Sequence, residues 1–190
     1  SGIEQVVIGV SGGLDSLLAL LVAAQSFDDL GLSRKQIIGV SMPGFASSEK
    51  TQDAAAKIMT ELKITQKLIP INDASQQMLE DLEHPVASGM AQYDVTYENG
   101  QAGIRTSLLF RLANKECALV IGTGDLSELA LGWCTYGVGD QMSHYNVNCS
   151  VPKTLVSHLI RWAAKNQQFG LGVAKICDEI IEFEISPELI

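Results

Sequence analysis

The chain has 190 residues, 46% of them hydrophobic and 18% charged, which suits one soluble α/β domain with a real core. Its formal net charge of -9, with lysines and arginines scattered, argues against broad nucleic-acid binding. No signal peptide is visible and no apolar run is long enough to span a bilayer, so no membrane partner is expected. The four cysteines, Cys117, Cys134, Cys149 and Cys177, form no C-x-x-C pair and no metal-like spacing with the three histidines. Reduced thiols in a cytoplasmic protein are the simplest account, with Cys117 and Cys177 in the core.

In chain order, Gln5 to Val10 is apolar and β-branched, as a buried parallel strand requires, and Leu14, Leu17, Leu18 and Leu21 then recur at helical spacing. Ser26 to Ser33 reads as a turn-rich connector, Gln36 to Met42 as a second strand ended by Pro43 and Gly44, and Ser47 to Lys63 as a helix. Lys67 to Ile71 is a short third strand, and Asn72 is placed to cap a helix running to about Leu82. Glu83 to Asn99 holds few periodic apolar positions and reads as a long loop. Gln101 to Glu116 is helical, Cys117 to Gly122 is a fourth strand, and Gly122-Thr123-Gly124 turns into an acidic helix start at Asp125 to Glu128. Lys153 to Asn166 and Val173 to Glu182 are further helices. Alternating strands and helices predict a single-domain, doubly wound parallel sheet, whose ligands sit at strand carboxyl ends where strand order reverses. The turns after Val10 and Ile121 are then neighbours over one site. Glu83 to Asn99 and Tyr136 to Pro152, weak in periodicity and containing glycine, are read as candidate mobile segments.

Gly9-Val10-Ser11-Gly12-Gly13-Leu14-Asp15-Ser16 places two glycines at a strand-to-helix turn, where unpaired amides and the helix dipole favour an anion. Ser11 and Ser16 add hydroxyl donors. A Walker A loop would end in Gly-Lys-Ser/Thr; here Asp15 stands beside Ser16 instead. A carboxylate among phosphates makes electrostatic sense with a divalent cation between them, which makes Asp15 a candidate Mg²⁺ ligand. Both residues would also suit an ordinary first helical turn. Glu128, near the start of the helix after strand four, is a candidate to complete that Mg²⁺ site opposite Asp15, or simply complements its own helix terminus.

The octet resembles the loop of the PP-loop ATP pyrophosphatases, of adenine nucleotide alpha hydrolase-like fold, which cleave ATP between the α and β phosphates to adenylate a substrate. A more specific resemblance runs through Tyr97-Glu98-Asn99, Gln101 to Thr106, Gly122 to Asp140 and Val151-Pro152-Lys153-Thr154. Together these resemble the synthetase domain of the glutamine-dependent NAD synthetases, over nearly the whole chain. The resemblance implies adenylation of deamido-NAD by ATP, release of pyrophosphate, and displacement of AMP by ammonia from a glutaminase domain N-terminal to this one. On this reading both ends look cut from something longer.

The resemblance implies ATP binding by Gly9 to Ser16, Thr123, Lys153 and Ser186, with Asp15 and Lys153 catalytic and Lys153 offsetting charge on the leaving pyrophosphate. It implies deamido-NAD binding by Asn99, Glu128, Trp133, Cys134, Thr135 and Tyr136, an aromatic pair being able to sandwich a pyridine ring. Plain roles stay open beside these: Thr123 capping the next helix, Lys153 solvated, Trp133 and Tyr136 in the core. Asp140 and His144 lie in a loop that holds substrate in relatives. Some ammonia-dependent relatives have an arginine where this chain has Gly103 and an aspartate where it has His144, so those contacts do not carry over. Arg105 is a candidate replacement, or an ordinary helix-exposed arginine. Relatives also use a C-terminal lysine beyond Ile190, and are homodimers at least. Two alternatives remain: another PP-loop amide ligase, such as one amidating a purine nucleotide, and a catalytically silent nucleotide-binding module.

Overall fold

The structure is a computed structural model that describes residues 2–132, 139 and 141–183. Among these residues five parallel strands, β1 (Val6–Gly9), β2 (Ile37–Ser41), β3 (Thr65–Leu68), β4 (Leu119–Gly122) and β5 (Tyr145–Asn146), lie in the order β3-β2-β1-β4-β5. The chain winds outward from β1 through β2 to β3, then crosses back to β4 on the other side of β1. Strand order therefore reverses between β1 and β4, which pair through Val6 with Leu119, Val7 with Val120 and Ile8 with Ile121. The carboxyl ends of these two strands mark the crevice of such a sheet.

Among the described residues seven α-helices cover the sheet: α1 (Leu14–Asp29), α2 (Glu49–Glu61), α3 (Asn72–Asp81), α4 (Val95–Glu116), α5 (Leu126–Leu131), α6 (Lys153–Lys165) and α7 (Leu171–Ile181). Successive strand residues point to opposite faces, so Ile8 and Ile37 join one core while Val7, Ile38 and Val40 join another. The first core contains Leu17 and Leu20 of α1, Ala55 and Ile58 of α2, Val156 and Ile160 of α6, and Ile176 and Ile180 of α7. The second is covered mainly by α4, through Ile104, Leu108 and Leu112. Both faces of the sheet are thus buried, which is why its central strands read as continuous apolar runs.

Several boundaries differ from the sequence reading. Helix α1 continues through Ser26, whose hydroxyl bonds back to the Val22 carbonyl, because Phe27 is needed in the core. The third strand lies earlier, at Thr65–Leu68, although Ile69 and Ile71 still donate to the Ser41 and Pro43 carbonyls; Pro70, whose missing N–H would face the open edge, is tolerated there. Asn72 is the first residue of α3 and Ile71 its cap. The expected long loop at Glu83 to Asn99 contains a 3₁₀ turn, Pro85–Ser88, capped by His84, and α4 already begins at Val95. There Asp94 accepts hydrogen bonds from the Thr96 and Tyr97 amides and pairs with His84 at 3.0 Å. Gly100 masked this start by weakening the helical pattern, yet a Cβ there would come within 2.2 Å of Met78 Cε, where α3 crosses α4. Strand β5, within the other expected loop, is too short to show a periodicity. Cys177 is buried as expected, whereas Cys117 is exposed, in a left-handed conformation that ends α4.

Helix α6 turns Val156, Ile160 and Ala164 inward and leaves Leu159 37% exposed. Ile160→Ala should cost about 2–5 kcal/mol in urea unfolding, by leaving a cavity, and Leu159→Ala within about 0.5 kcal/mol. Equal losses would contradict this assignment of faces.

Candidate functional site

The loop after β1 is built to bring backbone close to something. Val10 extends the β1–β2 pairing by donating to the Val40 carbonyl at 2.9 Å, and its side chain, like that of Leu14, packs in the core. Gly12 has φ +88°, and a Cβ on it would lie 2.1 Å from the Thr51 carbonyl oxygen at the first turn of α2. Only glycine fits both the conformation and the gap. Gly13 is the N-cap of α1 and offers its first amides no side-chain acceptor, the condition in which a helix terminus takes an anion.

The two serines divide the work differently from expectation. Ser16 is buried, and its hydroxyl donates to the Gly13 carbonyl at 3.1 Å and accepts from the Ser11 amide at 3.3 Å. Its role is to shape the loop. Ser11 is exposed; its hydroxyl accepts from the Gly13 amide and lies 3.2 Å from that of Ser16.

The turn after β4 lies beside this loop, and Asn148 ties them together. Fully buried, it donates through Nδ2 to the backbone carbonyls of both Asp15 and Thr123, each at 2.9 Å. Sequence reasoning missed Asn148, because a hydrogen bond across 133 residues leaves no local pattern. Thr123 does not cap α5. Asp125 does, accepting from the Glu128 amide at 2.9 Å, while Glu128 Oε2 accepts from the Asp125 amide at 2.9 Å. This reciprocal cap satisfies two amides and fixes both carboxylates.

Asp15, Asp125 and Glu128 converge, each offering one oxygen, with these atoms all within 4.8 Å of one another. The Lys153 ammonium lies among them. It donates to Asp15 Oδ2, and stands 3.3 Å from both Asp125 Oδ2 and Glu128 Oε1. Glu128 thus does two jobs at once, with Oε2 in the helix cap and Oε1 on the cluster. Asp125, which sequence reasoning recorded only as a helix start, is fully buried. Burial raises the Asp15 pKa to about 6; Lys153 opposes the rise, and Glu128 and Asp125 add to it. Burial works against the charge of Lys153, but the three carboxylates outweigh it and raise its pKa.

The residues present fit a divalent cation. Asp15 Oδ1 and Asp125 Oδ2 are buried without a hydrogen bond among the described residues, the latter facing Lys153. Three hard oxygen donors at one point, against a single ammonium, suit Mg²⁺. A groove of about 640 Å³ lined by Lys50, Lys57, Lys175, Asp178, Glu179 and Phe183 among others shares no residue with this cluster. Its mixed charges supply no convergent chemistry, so the strand ends define the site.

Asn99 is half-buried on α4, outside the carboxylate cluster. The start of that helix is held near the end of β2, since the Phe45 amide donates to Gln101 Oε1, the Phe45 and Tyr97 rings stack, and Arg105 Nε donates to the Met42 carbonyl. Arg105 is therefore a fastener between α4 and β2 rather than a free helix-surface residue. His144 is similarly engaged, its Nδ1 accepting from the Val120 amide at 2.9 Å and its ring lying against Phe110. Trp133, Cys134, Thr135, Tyr136, Asp140 and Ser186 lie outside the described residues.

A doubly wound parallel sheet with a glycine turn and converging carboxylates at its switch point defines a nucleotide-binding α/β domain of the PP-loop type. The family model for NAD synthase matches residues 1–186, and the chain belongs to that family. It is 52% identical over 199 aligned residues to a glutamine-dependent NAD(+) synthetase of Mycobacterium tuberculosis, covering 100% of this chain and 29% of that protein. The chain thus spans less than a third of the length of this relative. Among solved structures, a glutamine-dependent NAD+ synthetase from Acinetobacter baumannii in complex with ADP superposes with TM-score 0.82 at 29% identity, over 97% of this chain and 33% of that one. An NH3-dependent NAD synthetase from Campylobacter jejuni superposes with TM-score 0.70 at 27% identity, over 94% and 72%.

Two outcomes test this geometry. Gly12→Ala should abolish nucleotide binding in calorimetry and lower stability, because the Cβ clash displaces loop or helix; retained binding would mean the loop is not tightly held. Asp15 binds its proton more tightly folded than unfolded, so its stabilising contribution is full below its ordinary pKa of 3.8 and is lost as pH rises through about 6. Asp15→Asn should therefore gain stability relative to the native chain as pH rises from about 4 to about 6 in urea titrations, with the difference constant above that range. A difference independent of pH would contradict the burial of this carboxylate.

Proposed function

We propose that the chain is the amide-forming part of an NAD synthetase, converting deamido-NAD to NAD with ATP and ammonia. The observation that carries this reading is the carboxylate cluster with Lys153, set at the junction of two strand-end turns in a chain of the NAD synthase family. A nicotinate carboxylate oxygen attacks the α-phosphorus of ATP, the bond to the β-phosphate oxygen breaks, and pyrophosphate leaves. Ammonia then attacks the acyl carbon of the adenylate, AMP leaves, and a proton is released. Two anions must meet in the first step, so neutralising charge is the main task of the site.

The amides of Gly9 to Ser16, with the Ser11 hydroxyl, cradle the phosphates. Asp15 and Glu128, joined by Asp125, would hold Mg²⁺, which when bound neutralises phosphate oxygens. Lys153 reaches the leaving pyrophosphate, and Thr123 and Ser186 contact ATP. Asn99 and Glu128, with Trp133, Cys134, Thr135 and Tyr136, bind deamido-NAD. Ammonia would come from a glutaminase domain N-terminal to this one, a reading supported by the glutamine-dependent relatives and the small share of their length spanned here. A homo-oligomer is supported by the exposed apolar stripe of Leu155, Leu159 and Trp162 on α6. Among the described residues no helix is long and apolar enough to cross a membrane, and Cys117, Cys149 and Cys177 are free thiols, in keeping with a cytoplasmic setting.

Incubated with deamido-NAD, Mg-ATP and an ammonium salt, the purified chain should form NAD, AMP and pyrophosphate in equal amounts, and a purine nucleotide acceptor should not replace deamido-NAD. Asp15→Ala and Glu128→Gln should each lower AMP formation by about 10²-fold or more with the fold intact by circular dichroism. Tight Mg-ATP binding with no pyrophosphate released would favour a silent nucleotide-binding module, and turnover undiminished in both variants would remove the metal site.

A further inference from the structure

The Lys153 ammonium lies where a cation shared by Asp15, Asp125 and Glu128 would have to lie. It is at hydrogen-bond distance from Asp15 and 3.3 Å from one oxygen of each of the other two, whereas Mg²⁺ sits about 2.1 Å from its oxygen ligands. An ammonium and a divalent cation cannot share so small a volume, since their repulsion at contact distance is severe. We propose that Lys153 is the resident counter-ion of the cation site, offsetting part of the charge of the three carboxylates until a divalent cation enters and displaces its ammonium towards the phosphates. This rests on the reading of those carboxylates as a cation site.

The surroundings are built for such an exchange. The carboxylates are fixed: Asp125 is fully buried and locked with Glu128 in the reciprocal cap, and Asp15 is held at its backbone by Asn148. Lys153 is held at its backbone too, its amide donating to Ser127 Oγ at 3.1 Å, but its side chain is about one-third exposed. Rotation within a long, flexible side chain moves the charge without moving α6. The cation must therefore compete with a tethered one, and binds weakly alone. A triphosphate or pyrophosphate gives the displaced ammonium a new partner, so cation and phosphate bind cooperatively, each tightening the other by the same factor.

Mn²⁺ titration of the purified chain, followed by electron paramagnetic resonance, tests the exchange without turnover. Without nucleotide, Lys153→Met should bind Mn²⁺ roughly tenfold more tightly or better than the native chain, on electrostatic grounds. It should also lose most of the increase in Mn²⁺ affinity that pyrophosphate gives the native chain. Its melting temperature should fall in EDTA and recover with Mg²⁺. Lys153→Gln should behave alike, and serves if the methionine variant does not fold. Unchanged or weaker Mn²⁺ affinity in the folded variant would overturn the exchange. Asp125→Asn separates the two failures, because asparagine still caps α5 but removes a charge. If the native chain has no Mn²⁺ site weakened by Asp125→Asn, the cation-site reading falls and the exchange with it. If such a site exists and ignores Lys153, only the exchange falls.

Discussion

Parallel pairing of β1 with β4 is the constraint on which the rest of the site depends, because it sets two strand-to-helix turns side by side although 112 residues separate the first paired residues, Val6 and Leu119. Each turn opens a helix, and each helix carries acidic residues in or beside its first turn. Asp15 from one and Asp125 with Glu128 from the other are thereby brought within a few ångströms. Such crowding of carboxylates destabilises a fold unless something offsets it. Asn148 and Lys153 supply the offset, one by bridging the two turns through backbone carbonyls, the other by placing a positive charge among the carboxylates. Both come from the segment after β5 and the start of α6, so this part of the chain holds the site together as well as enlarging the core.

The charge balance is incomplete, and burial, more than the neighbouring carboxylates, holds the Asp15 pKa above its ordinary value. One ammonium does not neutralise three carboxylates, and two buried carboxylate oxygens are left without hydrogen bonds among the described residues. On the proposed function, the remaining negative potential would serve the metal side of a metal-triphosphate complex, and the uncapped start of α1 its phosphate side. Opposite potentials across a few ångströms orient the ligand before any chemistry begins. Stability is given up at this point of the fold, in a site otherwise tightly packed around Gly12.

Features that obey local rules were legible in the sequence. The Gly12-Gly13 turn, the apolar strands and the reversal of strand order are periodicity and glycine arguments, and they placed Asp15 and Glu128 on facing turns. Asp125 reads in the sequence only as an acidic helix start, with the cap of that helix open to Thr123, and nothing local marks it as a member of the cluster. Asn148 and Arg105 act through hydrogen bonds to distant backbone, two from Asn148 to Asp15 and Thr123 and one from Arg105 to Met42, which no window of sequence displays. Ser16 was read as a phosphate donor from its position in the octet, and its burial turns it inward. The start of α4 is hidden by Gly100, a poor helix former that lies against the Met78 side chain of α3.

The central claim is that one cation site, formed by the two turns after β1 and β4, organises the triphosphate. Its most direct test is a crystal structure of the chain with a non-hydrolysable ATP analogue and Mn²⁺, located by anomalous scattering. The account predicts a Mn²⁺ peak between Asp15, Asp125 and Glu128, phosphates on the Gly12-Gly13 turn, and the Lys153 ammonium on a phosphate oxygen. Triphosphate bound elsewhere, or Mn²⁺ without contact to Asp15 and Glu128, would contradict it.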